Sequence, residues 1–304
     1  MIELSIVTPA HNEAGNIDRL CEELTAICEE LLLTYEIVIV DDASTDATWE
    51  KINLNAELYK NVRGIRLSIN SGQTKALEIG IVNSQGSFVL TMDSDLQHPV
   101  RLIPEFWENR NHTGIVSGRQ ISRKDGKLKS LLSKLYYVLL RFVSGIEIER
   151  NVGDFRLIRR DILNTLMAVK EEKILRFLIP KYGFETSVIN FEADDRNAGT
   201  TKYSIARMLK FAALSLTSTT TRPLFLSAYL SMIFAGITFI DFLYVLITHA
   251  SIGTVPGWAS LLGLISVAFT VLFGVLGIFG IYLAHLLAIN TMIQPNIEQT
   301  DSRK

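Results

Sequence analysis

The chain has 304 residues and a mass of 34.1 kDa; 48% of the residues are hydrophobic, 20% are charged, and the mean hydropathy is +0.25. The formal net charge is −2, so no overall basic field attracts nucleic acid. This composition also excludes a disordered, collagen-like or disulfide-rich chain. Between Pro223 and Asn290 the only charged residue is Asp241. The sequence therefore predicts a water-soluble first two-thirds followed by a membrane-embedded segment.

Apolar runs rich in β-branched residues alternate with amphipathic segments over the first 120 residues. The runs predict strands at Leu4–Thr8, Glu36–Val40, Gly64–Leu67, Phe88–Met92 and Gly114–Val116. The amphipathic segments predict helices at Ile17–Leu32, Ala47–Tyr59, Thr74–Val82 and Leu102–Asn109. Alternating strands and helices of this kind form an α/β domain with a mostly parallel sheet covered on both faces. Such sheets bind ligands at the carboxyl ends of their strands.

The first predicted strand runs into a turn that contains Pro9, Asn12 and Glu13. The turn has neither of the glycine-rich patterns that wrap a pyrophosphate. A rigid proline, an amide and a carboxylate are suited instead to holding the base and ribose of a nucleotide.

The second predicted strand ends in three acidic residues, Asp41, Asp42 and Asp46. Asp46 is expected to cap the next helix, as a short acidic side chain often does. Capping does not explain the other two, so Asp41 and Asp42 are candidate ligand-binding residues.

The fourth predicted strand ends in Asp93, Asp95 and Gln97. If the chain stays extended, these alternate residues point the same way. Two carboxylates and an amide oxygen suit Mg²⁺ or Mn²⁺, with a diphosphate supplying further ligands. We therefore expect a divalent cation at this strand end.

The last part of the chain carries the features of a membrane protein. Lys127–Phe142 has one apolar stripe and one basic side, which fits an interfacial helix or an ordinary packed helix equally well, and Tyr203–Leu216 is similar. Leu224–Ile247 and Trp258–Leu287 each exceed the roughly 20 residues that cross a hydrocarbon core.

Basic residues precede the first predicted span, whereas the connecting loop, Thr248–Gly257, has no Lys or Arg. The positive-inside rule then predicts an integral protein of the plasma (inner) membrane with two spans and a cytoplasmic catalytic domain. Gly274, Gly277 and Gly280 indicate close helix packing, either within this hairpin or between copies of the chain in a homo-oligomer. The predicted regions are a nucleotide-sugar-binding core at 1–126, an acceptor region with interface helices at 127–222, two transmembrane helices at 223–290 and a cytoplasmic tail at 291–304.

Taken together, these motifs resemble those of family 2 glycosyltransferases with the GT-A fold. Further segments share the resemblance: Asn70–Ala76, Gly118-Arg119, Gly153–Leu157 and Arg196–Ser204. With two predicted spans, the chain is similar to the polyprenyl-phosphate branch of that family, which includes bactoprenol glucosyltransferases and dolichol-phosphate mannose synthases. The resemblance covers nearly the whole chain. It implies transfer of a sugar from a nucleotide-sugar to a lipid phosphate with inversion at the anomeric carbon.

The resemblance also implies roles for individual residues. The nucleotide-sugar would be bound by Pro9, Asn12, Glu13, Asp41, Asp42, Lys75 and Asp93. The cation would be held by Asp93, Asp95 and Gln97, and the acceptor phosphate by Arg119, Arg123, Arg196 and Lys202. Asp95, Asp154 and Arg119 would be catalytic, with Asp154 close to the donor sugar or to the attacking oxygen.

Several alternatives remain open at this stage. The base-binding residues do not distinguish UDP from GDP, so UDP-glucose is favoured over GDP-mannose only by overall similarity. A polysaccharide synthase subunit is less favoured, because the Gln-x-x-Arg-Trp motif of such enzymes is missing. A non-enzymatic membrane subunit would leave the acidic strand ends without a role.

Overall fold

The computed structural model describes residues 1–121, 151–169, 173–192 and 297–300, together with scattered helical positions between 233 and 286. The chain divides into two compact units. The first unit comprises Met1–Tyr137, Ile146–Lys202 and Ile293–Lys304. It contains the sheet and every strand described below.

The described part of the first unit forms an eight-stranded sheet with helices between its strands. The strands are β1 (Leu4–Ala10), β2 (Tyr35–Asp41), β3 (Val62–Leu67), β4 (Phe88–Thr91), β5 (Ile115–Gln120), β6 (Val152–Arg159), β7 (Ser187–Phe191) and β8 (Ile297–Thr300). The helices are α1 (Ile17–Glu30), α2 (Thr48–Leu58), α3 (Gln73–Asn83), α4 (Ile103–Thr113), α5 (Arg160–Ala168) and α6 (Leu175–Lys181), with a short 3₁₀ turn at Val100–Leu102.

The strand order across the sheet is β7-β5-β6-β4-β1-β2-β3-β8. Strands β1 to β4 are parallel, and β5 is parallel to β7. The exceptions are β6, which runs antiparallel to both β4 and β5, and β8, which runs antiparallel to β3. Because β6 runs in the opposite direction, its first residues lie at the edge where β4 and β5 end.

Both faces of the sheet are covered, as the strand composition predicts. Along β2, Ile37 and Ile39 pack with Leu20 and Leu24 of α1 in one buried cluster. The alternate residues of β2, Val38 and Val40, belong to a second cluster with residues of α3, α5 and α6. This two-sided burial leaves the polar ends of the strands as the place where a ligand can bind.

The five strands and four helices predicted for the first 120 residues are all present. Strands β6, β7 and β8 and helices α5 and α6 were not predicted. Strands β6 and β7 lie in the range 127–222 that was assigned to the acceptor region, yet they pair with β4 and β5 in the same sheet.

The membrane-related predictions fall largely outside the described residues. Among the residues that are described, no helix is both long enough and apolar enough to cross a membrane. The predicted interfacial helices at Lys127–Phe142 and Tyr203–Leu216 lie outside the description, and the predicted spans are described only at scattered positions.

Candidate active site

The polar strand ends meet at one edge of the sheet. The predicted residues of β1 and β2 are Pro9 in β1, Asn12 and Glu13 just after it, Asp41 at the end of β2 and Asp42 after it. Asp93, Asp95 and Gln97 follow β4, Arg119 lies in β5, and Asp154 lies near the start of β6. Lys75 lies in α3. The hydroxyl of Thr91 at the end of β4 donates a 2.5 Å hydrogen bond to the Asp154 carbonyl. Asp154 therefore lies beside the strand end that carries Asp93.

Asn12 joins the loops that follow β1 and β2. Its backbone N–H donates to the Ser44 hydroxyl at 2.9 Å, and its side-chain oxygen accepts the Thr45 N–H at 2.9 Å. Asn12 has φ +57, a left-handed conformation in which Asn is favoured over most residues. These contacts fix the two loops that were predicted to hold the nucleotide.

Glu13 and Asp46 are held by the first residues of neighbouring helices. The Glu13 carboxylate accepts a 2.6 Å hydrogen bond from the side-chain amide of Asn16. The backbone N–H of Glu13 donates to the Thr48 hydroxyl at 2.8 Å. Asp46 accepts the N–H of Thr48, the first residue of α2, at 3.0 Å. The N-cap position of α2 is occupied by Ala47 and not, as predicted, by Asp46, which accepts the first helical N–H from one residue further back.

Asp41 and Asp42 are both buried, although they have different contacts. One Asp41 oxygen accepts the Ser44 N–H at 3.1 Å, and the other lies 3.4 Å from Nε of Arg66. The Asp42 carboxylate accepts the backbone N–H groups of Ser71 and Gly72 at 2.7 and 2.9 Å. Asp42 thus fixes the loop that leads from β3 into α3.

The expected alternation of Asp93, Asp95 and Gln97 along an extended chain is wrong. Strand β4 ends at Thr91 and the chain turns, with Leu96 at φ +60. The Asp95 carboxylate accepts the N–H of Gln97 at 3.1 Å, a local hydrogen bond that competes with extended structure. Asp93 and Asp95 therefore lie in a turn and not on an extended strand.

Asp93 has contacts from two directions and a perturbed pKa. Its Oδ1 accepts a 2.6 Å hydrogen bond from the side-chain amide of Gln73, and its backbone N–H donates to Nδ1 of His98 at 3.0 Å. Burial, followed by the negative charges of Asp154 and Asp95, raises the pKa of Asp93 to about 7, although Arg176 acts in the opposite direction. Three carboxylates therefore share one region with a surplus of negative charge.

This donor set fits a hard divalent cation. Carboxylate and amide oxygens are the ligands that Mg²⁺ and Mn²⁺ prefer, and a cation would relieve the repulsion that perturbs Asp93. In the described residues no group of three His, Cys, Asp or Glu side chains is arranged to hold a metal ion. Other ligands, such as diphosphate oxygens, would have to complete the coordination.

His98 is a site residue that sequence reasoning missed. Its ring stacks on Phe155 at 4.9 Å between centroids with 8° between the planes, and it meets the edge of Phe191 at 6.0 Å. Burial lowers the pKa of His98 to about 4, so the ring is neutral at pH 7. The residue directly follows Gln97 in the sequence, but its position alone indicated no role.

Gln73 and Arg176 were also missed. Gln73 lies within the segment Asn70–Ala76 that carried part of the family resemblance, so that segment was a usable signal. Arg176 is near the start of α6, a short helix that no sequence pattern predicted.

The predicted basic residues are only partly described. Arg119 lies in β5, where its backbone pairs with Val152 of β6 and Asn190 of β7. The ammonium group of Lys75 forms a 3.0 Å ion pair with Glu78 in α3. Arg123, Arg196 and Lys202 lie outside the described residues.

Comparison with known proteins identifies the family. Residues 5–167 match glycosyl transferase family 2. An uncharacterized glycosyltransferase of Synechocystis sp. is 31% identical over 293 residues, which cover 94% of this chain and 91% of that protein. A protein of Escherichia coli K12 named prophage bactoprenol glucosyl transferase homolog is 29% identical over 86% of this chain and 87% of its own length.

Solved structures share the fold. Glucosyl-3-phosphoglycerate synthase of Mycobacterium tuberculosis, in complex with Mn²⁺, UDP and glucosyl-3-phosphoglycerate, superposes with a TM-score of 0.53 at 17% identity, covering 73% of this chain and 80% of that one. This likeness confirms the GT-A type of α/β fold with its mostly parallel sheet. Since the family match spans more than half of the chain, the protein belongs to glycosyl transferase family 2 and is a glycosyltransferase.

Proposed function

We propose that this enzyme transfers glucose from UDP-glucose to a polyprenyl phosphate such as undecaprenyl phosphate, with inversion at the anomeric carbon. The product, a polyprenyl-phosphate-sugar, would serve in modification of cell-surface glycans. The observation that carries the proposal is that Asp93, Asp95 and Asp154 lie at the same carboxyl edge of the sheet, where burial, followed by the charges of Asp154 and Asp95, raises the pKa of Asp93. The names of the bactoprenol glucosyl transferase relatives support the lipid phosphate as acceptor.

The donor nucleotide would bind along the ends of β1 and β2. Asn12 and Asp42 fix the surrounding loops through their hydrogen bonds with Ser44 and Gly72, so the site is largely formed before the donor arrives. Pro9, Glu13, Asp41 and Lys75 complete the proposed nucleotide-sugar site. Preformed sites of this kind lower the ordering cost of binding.

Asp93, Asp95 and Gln97 would hold Mg²⁺ or Mn²⁺ beside the donor diphosphate. When bound, the cation stabilises the negative charge that develops on the departing nucleoside diphosphate. The residues themselves would orient the diphosphate, since their positions are set by the turn after β4.

The acceptor needs little activation. The second pKa of a phosphate monoester is about 6, so the acceptor is already anionic at neutral pH and its oxygen can attack without a strong base. The harder task is to bring an anionic acceptor to an anionic donor. Arg119, together with Arg123, Arg196 and Lys202, would offset that repulsion and supply proximity. Asp154 would contact the donor sugar or the attacking oxygen.

A lipid acceptor implies that the enzyme works at a membrane. We place the predicted spans, Leu224–Ile247 and Trp258–Leu287, in the plasma membrane with the catalytic unit on the cytoplasmic side. The proposal rests on the basic residues before the first span and on the absence of Lys and Arg from the connecting loop.

A donor screen tests the function. The purified full-length chain would be mixed with a short polyprenyl phosphate, Mn²⁺ and one radiolabelled donor at a time: UDP-glucose, UDP-N-acetylglucosamine or GDP-mannose. We expect labelled lipid from UDP-glucose. Labelled lipid from GDP-mannose alone would replace glucose by mannose in the proposal, and transfer only to a polysaccharide would overturn the lipid acceptor.

A further inference from the structure

The imidazole of His98 contacts Asp93 after β4 and Phe155 in β6. Its Nδ1 accepts the backbone N–H of Asp93 at 3.0 Å, while Nε2 lies 3.8 Å from Oδ2 of the same residue. The ring also stacks on Phe155, the neighbour of Asp154 in β6. One side chain therefore connects the turn after β4 with the start of β6.

The hydrogen bond with Asp93 defines the state of the ring. Because a backbone N–H can only donate, Nδ1 must be the unprotonated nitrogen, and the ring proton lies on Nε2. The protonated nitrogen is the one that faces Oδ2 of Asp93. The ring can thus orient the Asp93 backbone through Nδ1, while Nε2 lies near the carboxylate at a distance longer than a hydrogen bond.

The stack limits how far the ring can move. The His98 side chain is 11% exposed, and its ring packs against both Phe155 and Phe191, which also contact each other. Phe155 is fully buried and in turn contacts Phe106 of α4 at 4.5 Å between centroids. The acceptor nitrogen is therefore held in place by the core of the catalytic unit.

We propose that His98 is a positioning residue for the cation site: it fixes Asp93 through its acceptor nitrogen, and its stack on Phe155 holds the ring in place. This inference rests on the proposed function, because it assumes that Asp93 is a cation ligand. Residues that orient metal ligands commonly act through one hydrogen bond of this kind. Removal of the acceptor should weaken cation binding even though His98 does not contact the cation.

A matched pair of variants tests the proposal. Leucine and asparagine branch in the same way at Cγ, but only asparagine retains an acceptor close to the position of Nδ1. In His98→Leu, Mn²⁺ affinity in the presence of UDP-glucose should fall about 10- to 100-fold, the usual effect of losing a ligand-orienting partner. His98→Asn should restore most of the lost affinity. Exposed His112 in α4 provides the control, and His112→Leu should bind as the wild type does.

Mn²⁺ binding would be measured on the purified full-length chain by electron paramagnetic resonance of free Mn²⁺, with thermal unfolding recorded for every variant. If His98→Leu binds Mn²⁺ as tightly as the wild type, the positioning role is wrong. If both variants lose affinity equally while remaining folded, the ring stack and not the acceptor is responsible, which also contradicts the proposal. If the wild type itself shows no binding of Mn²⁺ with UDP-glucose, the proposed function fails instead.

A second measurement needs no variant. Nitrogen chemical shifts of histidine labelled with ¹⁵N distinguish the two neutral tautomers. His98 should carry its proton on Nε2 in the wild-type protein, and a proton on Nδ1 would contradict the hydrogen bond on which the inference depends.

Discussion

The carboxylate of Asp42 accepts the backbone N–H of Gly72 at 2.9 Å. Asp42 follows β2, whereas Gly72 ends the loop after β3 and has φ +87, a conformation that side-chain-bearing residues rarely adopt. The two residues hold the start of α3 against the proposed nucleotide site, and α3 in turn supplies Gln73 to Asp93. The loop conformation and the acid cluster are thus physically connected.

Gly72→Ala should lower the free energy of unfolding by about 1–3 kcal/mol, because alanine is strained at this positive φ. A Cβ at Gly72 would meet no atom within 4 Å, so the loss would come from the backbone alone. Gly15→Ala is the matched control, since its Cβ also meets nothing and its φ is not positive. Urea denaturation followed by tryptophan fluorescence measures the free energy of unfolding of both variants. Equal stability of the two variants would contradict the prediction that alanine is strained at position 72.

Binding of Mn²⁺ with UDP-glucose should depend on pH through Asp93. The folded-state pKa of about 7 lies above the ordinary value of 3.8, so the carboxyl keeps its proton in the cation-free protein until about pH 7. The cation needs the charged form, so affinity should rise about tenfold per pH unit below that pKa and level off above it. Asp93→Asn should lose this slope along with most of the affinity. UDP-glucose is a diester of diphosphoric acid and has no ionisation in this range, so the pH dependence measured by calorimetry between about pH 5.5 and about 8.5 comes from the protein.

The same pKa has a consequence for stability. Between about pH 4 and 7 the unfolded chain has lost the Asp93 proton and the folded chain has kept it. The contribution of this group to stability therefore decreases as the pH rises through that window in the absence of a cation. Added Mn²⁺ should remove the decrease.

The strands that were predicted from the sequence are those with a continuous run of apolar residues, which shows within a few positions that the strand is buried. In β2 every residue is buried and the run is continuously apolar from Ile37 to Val40, so composition alone reveals it. Strand β6 carries Asp154 and Arg156 among its apolar residues and pairs with β4, whose partner residues lie 65 to 71 positions earlier in the chain. Strand β8 is only four residues long and pairs with β3 near the other end of the chain. Such non-local pairing leaves little local signal.

Contacts between residues far apart in the sequence also limited the prediction of the site. The acids were recognised because their residue types recur at strand ends, and the parallel sheet brings those ends together. The roles of His98 and Gln73 depend on contacts with residues on other elements, namely Phe155 and Asp93. The turn after β4 was not predicted because Leu96, in a left-handed conformation, gives no sequence signal for it.

Arg119→Ala tests the assignment of the acceptor phosphate. A charge-assisted hydrogen bond to phosphate contributes about 1.5–3 kcal/mol, so kcat/KM for polyprenyl phosphate should fall about 10- to 150-fold. Arg119→Lys should retain only part of the wild-type kcat/KM, because the point charge of lysine cannot replace the bidentate guanidinium. Calorimetry with UDP-glucose and Mg²⁺ in the absence of lipid should show nearly unchanged donor binding. An equal loss of donor binding would mean that Arg119 binds the donor diphosphate instead.

The proposed topology predicts which positions are accessible from outside the cell. A cysteine at Ser251, in the loop between the predicted spans, should react with an impermeant maleimide applied to intact cells. A cysteine at Ser302, in the predicted cytoplasmic tail, should react only after the membrane is permeabilised. Both variants would be made in a background lacking Cys21 and Cys28. The reverse labelling would contradict a cytoplasmic catalytic unit.

The central claim is that Asp93 and Asp95 bind the donor diphosphate through a divalent cation, and calorimetric titration of the full-length chain with UDP-glucose, with and without Mn²⁺, tests it most directly. Wild type should bind more tightly with Mn²⁺, and Asp95→Asn should lose that gain together with at least about a hundredfold in turnover. Asp46→Asn, which keeps an acceptor for Thr48, should retain both. Two results would contradict this claim: donor affinity of the wild type that is the same with and without Mn²⁺, or Asp95→Asn with the donor affinity and turnover of the wild type.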